Sequence, residues 1–159
     1  MVASNRTYIQ LFNGPLPTLD EACQLVASDS AGAISTFSGT TRDNFNGKKV
    51  LKLEYEGYGP MAEKILREIV EESRSRWEIQ HVLVYHRLNE VPIGEASVVI
   101  AVSSAHRREA MRAVEYLIDE LKIRCPIWKK EFYMDGSIWK GTCEGCTANK
   151  EHRHGHAIA

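Results

Sequence analysis

An α+β domain with a mostly antiparallel sheet and three helices is predicted by three observations. Three stretches carry apolar residues at helical spacing, and about seven short runs are alternating or rich in β-branched residues. Turn signals such as Asn46-Gly47 and Asp135-Gly136 join neighbouring runs, which favours hairpins over parallel crossovers. At 159 residues the chain suffices for one domain with a single core, without disulfides or metal. That domain is read as residues 1–141, because residues 142–159 show no periodicity and read as a polar, flexible tail.

Taken in order, residues 7–12 start as a strand, and Thr18-Leu-Asp-Glu21 is a capping box opening a short helix with Ala22, Leu25 and Val26 inward. Residues 32–42 (GAISTFSGTTR) read as a strand whose alternation puts Ala33, Ser35, Phe37 and Gly39 on one face. Such small side chains allow another backbone to approach closely. After the loop 43–48 with its Asn-Gly turn, residues 49–58 alternate again, so these two strands are expected to form a hairpin-like pair. Pro60 opens the second helix, with Ala62, Ile65, Leu66, Ile69, Val70 and Trp77 at helical spacing. Strands follow at 79–88 and 96–103, joined through 89–95. A long helix over 105–124 is stopped by Pro126, and a last hairpin spans 127–134 and 137–141.

Twenty basic residues against twenty-one acidic leave a net charge of −1, which argues against nucleic-acid or membrane binding through bulk electrostatics. The N-terminal MVASNRTYIQLF lacks the apolar core of a signal peptide, and the longest apolar run, 98–102, is too short to span a bilayer. Cys23, Cys125, Cys143 and Cys146 make no disulfide framework for a chain of this size. A soluble, cytosolic protein is expected.

The positive charge is local. On a helical wheel the stripe of Ala110, Val114, Leu117 and Leu121 is flanked by His106 and Arg107, which predicts that Arg107 does not face solvent. Ser103 and Ser104 are N-cap candidates, placing His106 and Arg107 in a first turn where free N–H groups and the helix dipole suit an anion. Arg42 ends a strand where a loop begins, a common place for a phosphate or carboxylate clamp. Past Pro126, alternation sends Lys129 and Glu131 to one face and Trp128, Lys130 and Phe132 to the other. The turn at Cys125-Pro126 can fold that strand back so that Lys122 and Lys129 converge, as proton donors or as clamps for developing negative charge. The plainer reading leaves these lysines solvated at a helix C-terminus. Cys143 and Cys146 with His152, His154 and His156 could hold zinc, but their spacing is irregular for a structural site. His81 and His86 fall within a strand and are assigned to the sheet rather than to a site.

Four segments, GAISTFSGTTRDN, LEYEGYGPMAEK, VYHRLNEVPIGEASVVIAVSSAHR and LKIRCPIWKKE, together resemble the large, catalytic subunit of molybdopterin synthase over residues 30–141. The pairing of SSAHR with PIWKKE is the most specific part, and the GTTR and PIWKKE forms are similar to eukaryotic members. Thr40 stands where bacterial members often carry lysine. The resemblance implies an α+β fold with a hammerhead-like subdomain, and a homodimer within a heterotetramer, each large subunit binding one small ubiquitin-like sulfur carrier. It implies sulfur transfer from the carrier's C-terminal thiocarboxylate to a cyclic pyranopterin monophosphate, with no resident metal or cofactor. The substrate-binding positions then fall on Arg42, His106, Arg107, Lys122, Lys129, Lys130 and Glu131, with Lys122 and Lys129 catalytic. A phosphate- or nucleotide-binding regulatory module and a zinc-dependent interaction module are the alternatives from other classes. His106 and Lys122 stand sixteen positions apart on one helix, about 24 Å at about 1.5 Å per residue, so both can serve one ligand only if two protomers share the site.

Overall fold

The computed structural model describes residues 4–141. Its elements are β1 (Thr7–Phe12), α1 (Leu19–Val26), β2 (Ala33–Thr40), β3 (Asn44–Phe45), β4 (Lys48–Gly57), α2 (Gly59–Arg76), β5 (Val82–Arg87), β6 (Asn89–Pro92), β7 (Ala96–Ser104), α3 (Arg107–Arg124), β8 (Ile127–Tyr133) and β9 (Ile138–Gly141). The strands form two sheets. One has the order β1-β5-β7-β2, antiparallel except for the β1/β5 pair. The other runs β3-β4-β8-β9, with β6 also paired to β4. No helix of the described residues is long and apolar enough to cross a membrane.

The helices form where local chemistry dictates. Thr18 accepts from the Glu21 amide at 3.2 Å while the Glu21 carboxylate accepts from the Thr18 amide at 2.7 Å, so the capping box closes both ways. Pro60 sits in the first turn of α2, and α3 ends at Arg124 just before Cys125-Pro126. Helices α1 on one side and α2 with α3 on the other cover the first sheet, so β5 and β7 are buried along almost their whole length. Val82, Val84, Val98, Ile100 and Val102 face α2 and α3, while Leu83, Tyr85, Val99 and Ala101 face α1. Arg124 reaches across to Glu72 at 2.5 and 3.0 Å, and Tyr116 donates to the same carboxylate at 2.8 Å, tying α3 to α2.

Two expectations need correction. Residues 32–42 and 49–58 do not pair with each other. β2 pairs with β7, Phe37 opposite Ile100 and Gly39 opposite Val98, whereas β4 belongs to the second sheet. The buried strand β7 needs a hydrogen-bonded neighbour on each edge, and β2 supplies the second. The Asn46-Gly47 turn, with both residues at positive φ, instead closes the small hairpin of β3 and β4. Second, the connection 89–95 is not a plain loop, because Asn89–Pro92 forms β6 on the second sheet; the described residues hold nine strands rather than about seven. Register places the small residues Ala33 and Ser35 on the face that packs under α3.

Gly32, one residue before β2, lies against the backbone that joins β7 to α3. Its amide donates to the Ser104 carbonyl at 3.0 Å, and a Cβ built on it would lie 2.4 Å from the Ala105 carbonyl oxygen. Both atoms are backbone, so Gly32→Ala must displace the start of α3. The expected cost is about 1–3 kcal/mol, read as a lower urea midpoint with an unchanged m-value. An unaltered midpoint would show that this approach carries no packing constraint.

Candidate active site

A cavity of about 170 Å³ opens where β2, β5 and β7 of the first sheet meet β4 and β8 of the second beneath the C-terminal half of α3. Strand alternation supplies its charged wall. In β8 the residues at 129, 131 and 133 are buried while those between them are not, so Lys129 and Glu131 point inward as a pair, 8% and 3% exposed. Their side chains meet at 2.8 Å, Tyr133 donates its hydroxyl to the same carboxylate, and the Lys129 ammonium lies 5.6 Å from the centre of the Trp139 ring. A buried ammonium needs such partners, since an uncompensated one costs several kcal/mol.

Lys122 lines the same cavity from the last turn of α3. The expected convergence of Lys122 and Lys129 holds, because the chain reverses tightly at Cys125, whose amide bonds to Leu121 and whose carbonyl accepts from Ile127 at 2.8 Å. Lys130 is the exception among the predicted site residues in this strand. It points to the opposite face of the sheet and bonds Glu56 at 2.6 Å, as period-two alternation requires.

Arg42 stands exposed at the cavity mouth, its guanidinium 5.9 Å from the centre of the Phe45 ring. Its backbone is held from one side: the Thr41 amide donates to the Glu95 carbonyl at 3.1 Å, and the Gly94 amide donates to the Thr41 carbonyl at 2.9 Å. Arg87, 8% exposed, meets Glu95 at 2.5 Å and so anchors that loop to β5. Thr40 also borders the cavity.

His106 and Arg107 lie elsewhere. Both are exposed, and Arg107 shares a shallow surface depression with Arg108, Met111, Arg112 and Glu115. The prediction that Arg107 is turned from solvent is wrong for the single chain, although the stripe of Ala110, Val114, Leu117 and Leu121 is buried as expected. The first sheet stops at Ser104, paired with Ala33, and among the described residues it offers no surface that covers His106 and Arg107. His106 is itself the N-cap residue. Ser104 still serves that turn, accepting from the Ala110 amide at 3.1 Å and donating to the His106 carbonyl at 2.5 Å, while Ser103 accepts from the His81 amide.

Sequence reasoning missed part of the inner wall. His86, assigned above to the sheet alone, is 4% exposed and lines the cavity beside Tyr55, their rings edge to face at 5.0 Å. Period-two alternation from Val82 and Val84 puts His86 on the helix-covered face, but only the placement of α3 and β4 shows that this end of the strand adjoins a cavity. Ser97 enters through a β-bulge: Gly39 pairs with Val98 and Thr40 with Ala96, leaving Ser97 as the extra residue. It accepts from the Tyr55 hydroxyl at 3.3 Å and donates to the Gly39 carbonyl at 3.4 Å. His81, expected within a strand, instead lies one residue before β5, where its Nδ1 accepts the Arg6 amide at 2.9 Å. Burial pushes the Cys125 thiol up to about 12, so it is neutral and a poor nucleophile. The possible zinc set of Cys143, Cys146, His152, His154 and His156 lies outside the described residues.

Buried and half-buried cations set among aromatic and apolar walls, at the seam of two sheets, form a concave site whose chemistry suits an anionic ligand. A family model described as MoaE protein matches residues 15–124, and the chain belongs to that family. It is 56% identical over 127 residues to the molybdopterin synthase catalytic subunit of Homo sapiens, covering 80% of this chain and 68% of that one. It is 54% identical over 142 residues to molybdopterin synthase catalytic subunit 1 of Aedes aegypti, covering 87% and 91%. Among solved structures, molybdopterin synthase from Staphylococcus aureus superposes with a TM-score of 0.75 at 33% identity, covering 90% of this chain and all of that one. A complex of subunits 1 and 2 of molybdopterin-converting factor from Helicobacter pylori contains a chain of the same fold, with a TM-score of 0.65 at 20% identity over 86% and 90%.

The buried imidazole gives a pH signature. Burial lowers the His86 pKa from 6.5 to about 4, so below pH 6.5 the unfolded chain takes up a proton that the folded chain refuses. The stability tied to neutral His86 is complete above pH 6.5 and is lost progressively as pH falls toward 4. The drop is roughly 3 kcal/mol at about 1.4 kcal/mol per unit. His86→Gln should flatten the stability profile across that window by a comparable amount in urea titrations at stepped pH. Parallel profiles for the two proteins would show that His86 takes up its proton as readily in the folded chain as in the unfolded one.

Proposed function

We propose that this cavity is the sulfur-transfer site of a molybdopterin synthase. The chain is the catalytic subunit and an enzyme, a sulfurtransferase of molybdenum-cofactor biosynthesis. It takes sulfur from the thiocarboxylated C-terminus of a small ubiquitin-like carrier subunit and delivers it to cyclic pyranopterin monophosphate, forming the dithiolene. The observation that carries this reading is the meeting of Lys122 with the buried Lys129–Glu131 pair in a cavity whose mouth holds Arg42. Carrier terminus and pterin phosphate are both anionic, and the cavity concentrates cations where the whole chain has no excess.

Arg42 in this chain, with His106 and Arg107 from a second copy, holds the phosphate. Lys122 and Lys129 stabilise the negative charge that develops as the thiocarboxylate sulfur adds to the pterin and the carrier's acyl group leaves, and they relay the protons. Glu131 orients Lys129. No protein thiol enters the chemistry. Within one chain, Arg107 and Lys122 occupy different depressions near opposite ends of α3, which favours a site shared across a two-fold dimer. The assembly is then a cytosolic heterotetramer of two large and two small subunits.

Lys122→Ala and Lys129→Ala should each lower turnover at least about 10²-fold with the fold retained, measured with thiocarboxylated carrier and pyranopterin substrate. Near-normal turnover in both variants would remove this mechanism. Dimer sharing has its own test: Arg107→Ala and Lys122→Ala chains are unfolded together in equal amounts and refolded. Random pairing should restore about a quarter of all sites, because each mixed dimer joins one intact Lys122 to one intact Arg107. A site built within one chain recovers nothing, since every chain carries a defect.

A further inference from the structure

The inner end of the cavity carries an acceptor that the proposed sulfur transfer leaves unused. The Nδ1 of His86 lies 2.8 Å from the backbone carbonyl of Arg87. A carbonyl only accepts, so Nδ1 holds the ring proton and Nε2 keeps its lone pair. Among the described residues no polar group pairs with Nε2, although the side chain is 96% buried and its ring borders the cavity. A polar atom so placed is normally matched by a partner, and here the open space beside it is the only place for one.

The neighbouring surface narrows the choice of partner. Arg42, Lys122 and Lys129 are cations that can only donate. The cavity that His86 borders has aromatic and apolar wall in Phe37, Tyr55, Val98 and Leu121, with Ser97 and Glu131 as polar members. Such a wall suits a flat ring that brings its own N–H, whereas an extended peptide requires a row of backbone donors and acceptors along a strand edge. Depth separates the ends of the ligand as well, because Arg42 is exposed at the mouth and His86 is buried within.

We propose that His86 Nε2 is the acceptor of a ring-recognition subsite, taking a heterocyclic N–H of the pterin while the phosphate remains at the cationic mouth. This rests on the sulfur-transfer reading above and adds to it the orientation in which the substrate enters. His86 is a binding residue here, and it has no part in proton transfer.

The test uses the full chain and calorimetric titration with the cyclic pyranopterin monophosphate and, separately, with a peptide of the carrier's C-terminal tail. His86→Phe keeps a flat ring but has no acceptor, and should weaken pterin binding about tenfold or more while leaving the tail peptide unaffected. His86→Gln, whose amide oxygen can accept near the position of Nε2, should recover most of the loss. A ligand-side comparison guards against a variant that misfolds: unaltered protein should bind a ring-N-methylated pterin about tenfold more weakly than the parent compound, and correctly folded His86→Phe should not distinguish the two. Parent-like binding of the methylated ring by unaltered protein overturns the proposal, as does a His86→Phe loss confined to the tail peptide. Unaltered protein that binds no pterin at all overturns the sulfur-transfer reading itself, and the subsite with it.

Discussion

An ammonium held inside a sheet-lined cavity must be compensated where it stands, and the arrangement around Lys129 follows from that requirement. Glu131 can meet it because two residues along a strand share a face, and Tyr133 can meet Glu131 for the same reason. A single period-two run thus carries the cation, its counter-charge and the donor that satisfies the counter-charge. The cost of desolvating these groups is offset only while β8 keeps its register with β4, Glu131 opposite Leu53 and Lys129 opposite Tyr55. A slip by one residue would turn Lys130 inward without a partner and Lys129 out to solvent.

The two sheets divide the work. The first, covered by helices on both faces, is the rigid body that fixes α3 and brings His86 to the inner wall. The second contributes the ionic face and the hairpins at the rim. The two meet where β2 leaves the first sheet, and the chain secures that corner with the backbone bonds of Thr41 to Gly94 and Glu95 and with the Arg87–Glu95 ion pair. Helix α3 has its middle packed in the core, its last turn presenting Lys122 to the cavity and its first turn presenting Arg107 to another surface.

Local patterns specified much of this. The capping box at Thr18, the proline starts and stops, the Asn-Gly and Asp-Gly turns and the apolar stripe of α3 each act over a few residues, and each stands where the sequence predicts it. The split of Lys129 and Glu131 from Lys130 was legible for the same reason, since alternation is a property of a single strand. The convergence of Lys122 with Lys129 needed only the break at Pro126 and a short return.

What could not be read from the sequence depends on partners distant along the chain. Whether β2 pairs with β4 or with β7 is decided by which buried edge lacks a neighbour, and the alternation of β2 is identical in both cases. The exposure of Arg107 depends on where the sheet beneath it ends, because a helical wheel gives an angle and not the extent of the surface it faces. His86 looked like an ordinary sheet residue for the same reason: its face was fixed by periodicity, but the cavity beside it exists only once α3, β4 and the Ser97 bulge are assembled. The sequence by itself determined the elements, their faces and the charged residues available for chemistry, because those follow from local backbone geometry and patterning. The tertiary structure alone decided strand partners, cavity walls and the separation of Arg107 from the cavity, because these depend on surfaces brought together across long stretches of chain.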